Sequence, residues 1–271
     1  TVSPKQFAGT FLPPAPAVRA GMRPLERAGL RVSWNPGETI VQAVGPASAI
    51  EAAFNVSIDR FRNSNQLSYY APVGAPNLGG ALRGLVSTVT GLSDEAHLHP
   101  LGQPISSAPT NGCGARAGGY SPDQILSAYN FAPLRHAGLT GTGQTVVFIE
   151  LDSFRQADLN CARRRFGEPP YNVTVAPARW GTPAPVSTSG GSESDLDLQI
   201  VHAAAPGARL VVYETDGTVG AVASAFAAAA SAYPTAIMSV SLGGCEVAAL
   251  DHAGHPTASP DERVWHGALE R

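Results

Sequence analysis

An α+β unit followed by an α/β unit with a parallel sheet is the architecture that this 271-residue sequence predicts, on three observations. Up to about residue 100, short apolar runs flank the turn signals Asn35-Pro36-Gly37 and Asn63-Ser64-Asn65, with helical segments between them. From residue 120 onward, continuous apolar runs at 144–151, 208–214 and 236–242 alternate with helical segments, the order of a parallel sheet covered on both faces. Between the two, residues 101–119 are rich in Gly, Pro, Ser, Ala and Asn with no apolar period, the composition of an exposed linker open to proteolysis. The predicted division is therefore 1–100, 101–119 and 120–271.

In the first unit, Ser3-Pro4-Lys5-Gln6 combines a capping residue, proline at the first helical position and glutamine at the third, and predicts a helix start. A second helix is expected over 17–28, with Gly29 ending it. Residues 30–34 and 39–44 read as strands, 48–54 as a helix, 56–61 and 67–71 as strands, and 81–89 as a helix. Helices on an antiparallel sheet make a small α+β domain of ferredoxin-like type.

In the second unit, Ser121-Pro122-Asp123-Gln124 repeats the helix-start signature, and that helix is expected to reach about residue 130. The strand 144–151 follows, then a helix over 157–166. Gly190 and Gly191 give a flexible lead-in to a helix on which Leu196, Ile200, Val201 and Ala204 recur at helical spacing, and Pro206-Gly207 closes it. A strand over 208–214, an Ala-rich helix over 219–233 and a strand over 236–242 complete the series. Gly138-Leu-Thr-Gly-Thr-Gly143 has the glycines of a phosphate-binding loop, but it precedes its strand, whereas such a loop follows the strand and opens a helix.

Sheets of this kind place their chemistry at the carboxyl ends of the strands. Glu193 and Asp197 stand about 40° apart on their helix, one turn above the other, so their carboxyl groups can share a proton or a hydrogen bond. Two readings compete. One is helix capping, by Ser192 with Asp195 or Ser194 with Asp197, since acids in a first turn favour the exposed N–H groups. The other is a catalytic pair, one acid shuttling the proton and its neighbour orienting it.

Bulk properties narrow the field. The net charge is −3, only 14% of residues are charged, and Lys5 is the single lysine, so no basic stripe exists for nucleic acid or an anionic membrane surface. No apolar run approaches the ~18 residues of a membrane span. The sequence starts at Thr1 without methionine, which suggests processing or trimming. Cys113, Cys161 and Cys245 lack metal-ligand spacing, and their pairing stays open. Asn55-Val-Ser57 and Asn172-Val-Thr174 fit the glycosylation tripeptide. His202 is nine residues from Glu193 and on the opposite helix face, while His252 and His255 lie in a Gly/Pro-bearing loop. No Gly-x-Ser-x-Gly or His-Glu-x-x-His occurs.

Glu193-Ser-Asp-Leu-Asp197-Leu-Gln-Ile-Val, followed by Ala204-Ala-Pro-Gly-Ala-Arg-Leu-Val-Val-Tyr213, resembles the Glu-x-x-x-Asp helix and following strand of the sedolisin, or serine-carboxyl, peptidases. The run from Tyr120 to Phe131 resembles the start of their mature domain, and Ser239-Val-Ser-Leu-Gly-Gly244 a strand lining their substrate cleft. Residues 1–100 resemble an activation propeptide of the pro-kumamolisin type, although the strand expected before Ser3 is missing. The resemblance implies a ferredoxin-like propeptide and the N-terminal part of a subtilisin-like peptidase domain. Activation cleavage is then expected between Gln103 and Tyr120.

By the same resemblance, Glu193 is the general acid/base and Asp197 its orienting partner, with an acidic optimum because a carboxylate shuttles protons best in acid. Glu150 matches a carboxylate that extends the acid network in some kumamolisin-like members, or else it is a strand-end acid facing solvent; the tryptophan accompanying it in those members is Leu242 here. Ser241, Leu242, Gly243 and Gly244 are the implied substrate-binding strand, whose backbone pairs with an extended peptide. The family's Ser-Gly-Thr-Ser nucleophile segment and Gly-Asp-Ser-Gly oxyanion loop do not occur in the chain. Both are expected beyond Arg271, together with the calcium site implied by the family.

Two functions follow from this. The first is a precursor portion of a secreted acid endopeptidase acting on polypeptides, inactive alone, whose partners are its own propeptide and the remaining C-terminal half. The second is a non-catalytic binding or inhibitory protein on the same architecture, in which the missing serine is native.

Overall fold

In the computed structural model, which describes residues 3–63, 66–95, 97–100, 120–177 and 193–243, the first helix starts as its sequence predicts. The Ser3 hydroxyl accepts from Gln6 N at 3.3 Å, and Gln6 Oε1 accepts from Ser3 N at 3.0 Å, so a reciprocal capping box opens α1, Pro4–Phe11. The described residues gather into two compact units, one formed by the chain up to His97 with Thr218–Pro234, the other by Leu98–Gly217 with Thr235–Gly243.

The first unit continues with α2, Ala15–Arg27, which Gly29 terminates in the left-handed region at φ 88°. Strand β1, Arg31–Ser33, pairs antiparallel with β2, Gln42–Val44. The second strand starts three residues later than its apolar run because the turn between them is held by side chains. Glu38, only 4% exposed, accepts from Asn35 N and Nδ2 at 3.2 and 2.9 Å, and Trp34 Nε1 donates to Glu38 O at 2.8 Å. Helix α3, Ala47–Phe54, precedes β3, Ser57–Arg62, which pairs antiparallel with β4, Ser68–Val73. The two ladders are separate sheets among the described residues. Leu25, Leu30, Phe54, Val56 and Leu82 form the core of this unit.

The helix expected over 81–89 is reduced to a single 3-10 turn, Gly80–Leu82. Gly84 takes φ 75°, which no right-handed helix admits, and breaks the pattern before a second turn can form. Helix α8, Val219–Ala232, belongs to this unit by its contacts and starts at the Thr218 hydroxyl, which accepts from Ala221 N at 3.4 Å.

The second unit opens with β5, His99–Pro100, and then α4, Pro122–Ala128, whose Ser121–Gln124 capping box repeats that of α1. The predicted linker 101–119 lies outside the described residues. A short helix, α5, Ala132–His136, follows, and no periodicity announced it. Strand β6, Thr145–Glu150, leads to α6, Gln156–Phe166, then to β7, Val173–Val175, a strand too short to stand out in the sequence. Helix α7, Glu193–Ala204, precedes β8, Arg209–Glu214, and β9, Ile237–Ser239, and β10, Leu242–Gly243, end the series.

The sheet order is β7-β8-β6-β9, all parallel, as the alternation of strands and helices predicts. Val147, Phe148, Ile149 and, next door, Leu210, Val211 and Val212 are all 0% exposed, so β6 and β8 are covered on both faces. On one of those faces Phe148, Leu210 and Val212 pack against Leu159 of α6 and Leu198 of α7. Each such side chain contributes about 1.5–3 kcal/mol by burial. The apolar run at 236–242 does not make one strand. The chain leaves the sheet after Ser239, and Ser241 turns to the carboxyl site described below.

Gly141, within the glycine cluster before β6, has a structural task. It takes φ 77°, and a Cβ there would lie 2.7 Å from Ala205 Cβ at the end of α7, while Gly207 N donates to Thr140 O at 2.8 Å. Gly141→Ala is therefore expected to destabilise the protein by about 1–3 kcal/mol through strain and overpacking, read as a lower urea midpoint at unchanged m-value.

Candidate active site

Strand β6 carries Glu150 to its carboxyl end, in register with Glu214 at the end of β8. There Thr215 N donates to Glu150 O at 2.8 Å, which holds the two strand ends together. The Glu150 side chain is 0% exposed, and neither carboxyl oxygen has a hydrogen-bond partner. It does not face solvent, which removes the strand-end reading. Burial pushes its pKa up to about 9, the negative charges of Asp197, Asp152 and Glu193 adding to the effect and the Ser194 hydroxyl offsetting part of it. At acidic and neutral pH Glu150 thus carries its proton.

Helix α7 begins at Glu193, which is half-buried, and places Asp197 one turn on. Ser241 Oγ donates to Asp197 Oδ2 at 2.6 Å. Burial raises the Asp197 pKa, the Ser241 bond opposes the rise, and the charge of Asp152 adds to it. Ser241, read from sequence only as backbone for a substrate, thus also supplies a side chain to the acid pair. Leu242 and Gly243 form β10, which pairs antiparallel with His99–Pro100 of β5. Gly244 lies outside the described residues.

The capping readings of α7 do not describe Ser194. Its hydroxyl donates to Asp152, at 2.5 Å to Oδ1 and 2.7 Å to the backbone oxygen, and its N–H donates to the same Oδ1 at 3.3 Å. The partner thus comes from 42 residues earlier in the chain, and Ser192 lies outside the described residues. At the far end of α7, Arg135 Nη2 donates to Ala203 O, satisfying one of the last-turn carbonyls. His202 is fully buried there, stacked on Tyr171 with ring centroids 3.8 Å apart and with Nε2 3.0 Å from Pro169 O. Burial lowers its pKa, and its place in the last turn of α7 puts it at the other end of the helix from Glu193 and Asp197. A cavity of about 510 Å³ lined by Arg135, Glu168 and His202 belongs to this far end and is not lined by Glu150, Asp152, Glu193 or Asp197.

The arrangement is a cluster of carboxyl groups at the carboxyl ends of parallel strands, with β6, between β8 and β9, at its centre. Such a cluster can hold a proton and pass it between neighbours in acid. Among the described residues no group of three or more His, Cys, Asp and Glu is arranged to hold a metal, and no helix is long and apolar enough to cross a membrane.

Residues 1–95 match the family described as Pro-kumamolisin, activation domain. Sedolisin of Pseudomonas sp. (strain 101) is 28% identical over 96% of this chain and 45% of its own length. The chain is similar to peptidases of the sedolisin type and carries a pro-kumamolisin-type activation domain over residues 1–95. Kumamolisin of Bacillus sp. (strain MN-32) is 26% identical over 74% of this chain and 37% of its own length. The chain therefore spans less than half the length of the curated relatives it matches. The similarity is to peptidases, and the match to an activation domain covers residues 1–95.

Proposed function

We propose that this chain is the N-terminal portion of the precursor of a secreted, acid-acting serine-carboxyl endopeptidase that hydrolyses peptide bonds in polypeptides. The observation that carries this reading is Glu150, fully buried at the end of β6 in the field of Asp197, Asp152 and Glu193, in a chain similar to peptidases of this type. Glu193 takes the proton from a serine hydroxyl as it attacks the peptide carbonyl and returns it to the leaving amine, while Asp197, fixed by Ser241, orients Glu193. The serine and the oxyanion-stabilising aspartate come from sequence outside these 271 residues, since neither motif occurs here. Calcium belongs with that remainder, and no step runs through it.

In this reading residues 1–100 are a propeptide of ferredoxin-like type that binds its own subtilisin-like peptidase domain, and 101–119 is where activation cleavage falls. The pairing of His99–Pro100 with Leu242–Gly243 supports this, because the end of the propeptide lies along the strand expected to receive a substrate. Export fits the disulfide in which Cys161 is engaged.

The test is hydrolysis of a denatured polypeptide at about pH 3–5, where a carboxylate general base works. Full-length protein is expected to release peptides in acid and to be nearly silent at neutral pH, and the 271-residue chain alone to release none. Cleavage by the short chain, or none by the full-length protein after activation, overturns the reading.

A further inference from the structure

We propose that Asp152 is a positioning residue for the Glu193–Asp197 pair, clamping the first turn of α7 from the exit of β6 through Ser194 and so fixing where Glu193 stands. The inference rests on the reading of Glu193 as the general acid/base.

The first N–H groups of a helix have no partner within it, and the helix dipole makes that end attractive to a negative charge. The Ser194 hydroxyl points away from the first turn of α7 to Asp152. A single carboxylate oxygen, Asp152 Oδ1, instead receives both the Ser194 N–H at 3.3 Å and the Ser194 hydroxyl at 2.5 Å, while the Asp152 carbonyl lies 2.7 Å from the same hydroxyl. Ser194 is 0% exposed, so water does not compete for these bonds. Glu193 is the next residue, and a shift of the first turn by one ångström moves its carboxyl by as much. General acid/base work is sensitive to displacements of that size.

Asp152 is also two residues from Glu150, and its charge acts on both Glu150 and Asp197. The polar groups that face Glu150 are Asp197 and Glu193 with Ser194 on α7 and Asp152 on the β6 exit. Ser153, beside Asp152, donates to Glu214 Oε1 of β8 at 2.6 Å, which ties the same exit loop to the neighbouring strand. The clamp thus joins strand ends to helix start and adds negative charge next to the protonated Glu150.

Asp152→Asn keeps an oxygen for Ser194 and removes the charge, whereas Asp152→Ala removes both, and Ser194→Ala removes the hydroxyl alone. Two readouts on the full-length protein test the clamp. The carboxyl titrations of Glu150, Glu193 and Asp197, followed by carbon NMR, need no turnover. The Glu150 and Asp197 midpoints are expected to fall by about half a unit or more in Asp152→Asn, through loss of like charge. Asp152→Ala is expected to displace the Glu193 signal as well. In kinetics, kcat of Asp152→Ala is expected to fall about tenfold with KM within about twofold, and Asp152→Asn to recover most of kcat while its alkaline limb moves to lower pH. A residue that only stabilised the fold would lower the melting temperature and leave titrations and the kcat profile as in the parent, which overturns the inference. A parent that shows the titration shifts but no acid hydrolysis overturns the proposed function and leaves the clamp standing.

Discussion

Glu193→Gln in the full-length protein is expected to lower acid peptide hydrolysis by about 10²- to 10⁴-fold, the usual weight of a positioned general acid/base. Glutamine matches glutamate in shape and is as good a helix former, so α7 keeps its first turn and the Asp152–Ser194 bonds are untouched. What is lost is the proton shuttle, since an amide neither takes the nucleophile's proton nor returns one to the leaving amine. The measurement is kcat on a chromogenic peptide at about pH 4, alongside a melting curve, because folding is expected to survive. If Glu193 only served the helix start, hydrolysis would hardly change, and activity within about threefold of the parent would remove it from the chemistry. Asp197→Asn is the milder companion. It keeps a group opposite the Ser241 hydroxyl and loses only the charge proposed to orient Glu193.

The second large effect is on stability and runs through Glu150. Its folded pKa of about 9 lies above the ordinary value of 4.5, so the folded state holds a proton that the unfolded state releases. Stability from this group is fully present below pH 4.5 and is lost as pH rises towards 9. Each pH unit in that window is worth about 1.4 kcal/mol at most, so the loss amounts to several kcal/mol by mildly alkaline pH. Asp197 is raised as well and acts in the same direction.

His202 has the opposite sign. Its pKa is lowered by burial, so its contribution is present above its ordinary value of 6.5 and is lost as pH falls below it. The protein is therefore expected to be most stable in weak acid. Glu150→Gln removes the alkaline side of that profile. At about pH 5 the variant is less stable by about 1–3 kcal/mol, because the amide brings donors that find no partner in a site where the carboxyl had none. By about pH 9 the gap is expected to close or reverse. Urea midpoints across pH check this, and parallel curves for parent and variant would mean that Glu150 does not hold its proton.

Helix starts were legible wherever the signal was local. Ser3 with Gln6 and Ser121 with Gln124 form the capping boxes that their spacing predicts, and Gly29 ends α2 where a left-handed residue was expected. The parallel sheet was legible too, because β6 and β8 are continuous apolar runs that only a two-sided cover explains. Elements of three to five residues, α5 and β7, carry too few side chains for a period to register. The run at 81–89 had the apolar content of a helix, and Gly84 overrode it through its backbone angle alone.

For the acids, local spacing put Glu193 and Asp197 on one helix face, and it placed Glu150 at a strand end. Tertiary structure decided the rest. Only the register of β6 against β8 and the fold-back of α7 bring Glu150 into the field of Asp197, Asp152 and Glu193. The chain leaving β9 delivers Ser241 to Asp197 across 44 residues of sequence, and the β6 exit delivers Asp152 to Ser194 across 42. Spacing along the chain reports which side chains share a face, but which carboxyl is dry, which is charged and which hydroxyl holds it depend on groups that meet only after the sheet has closed.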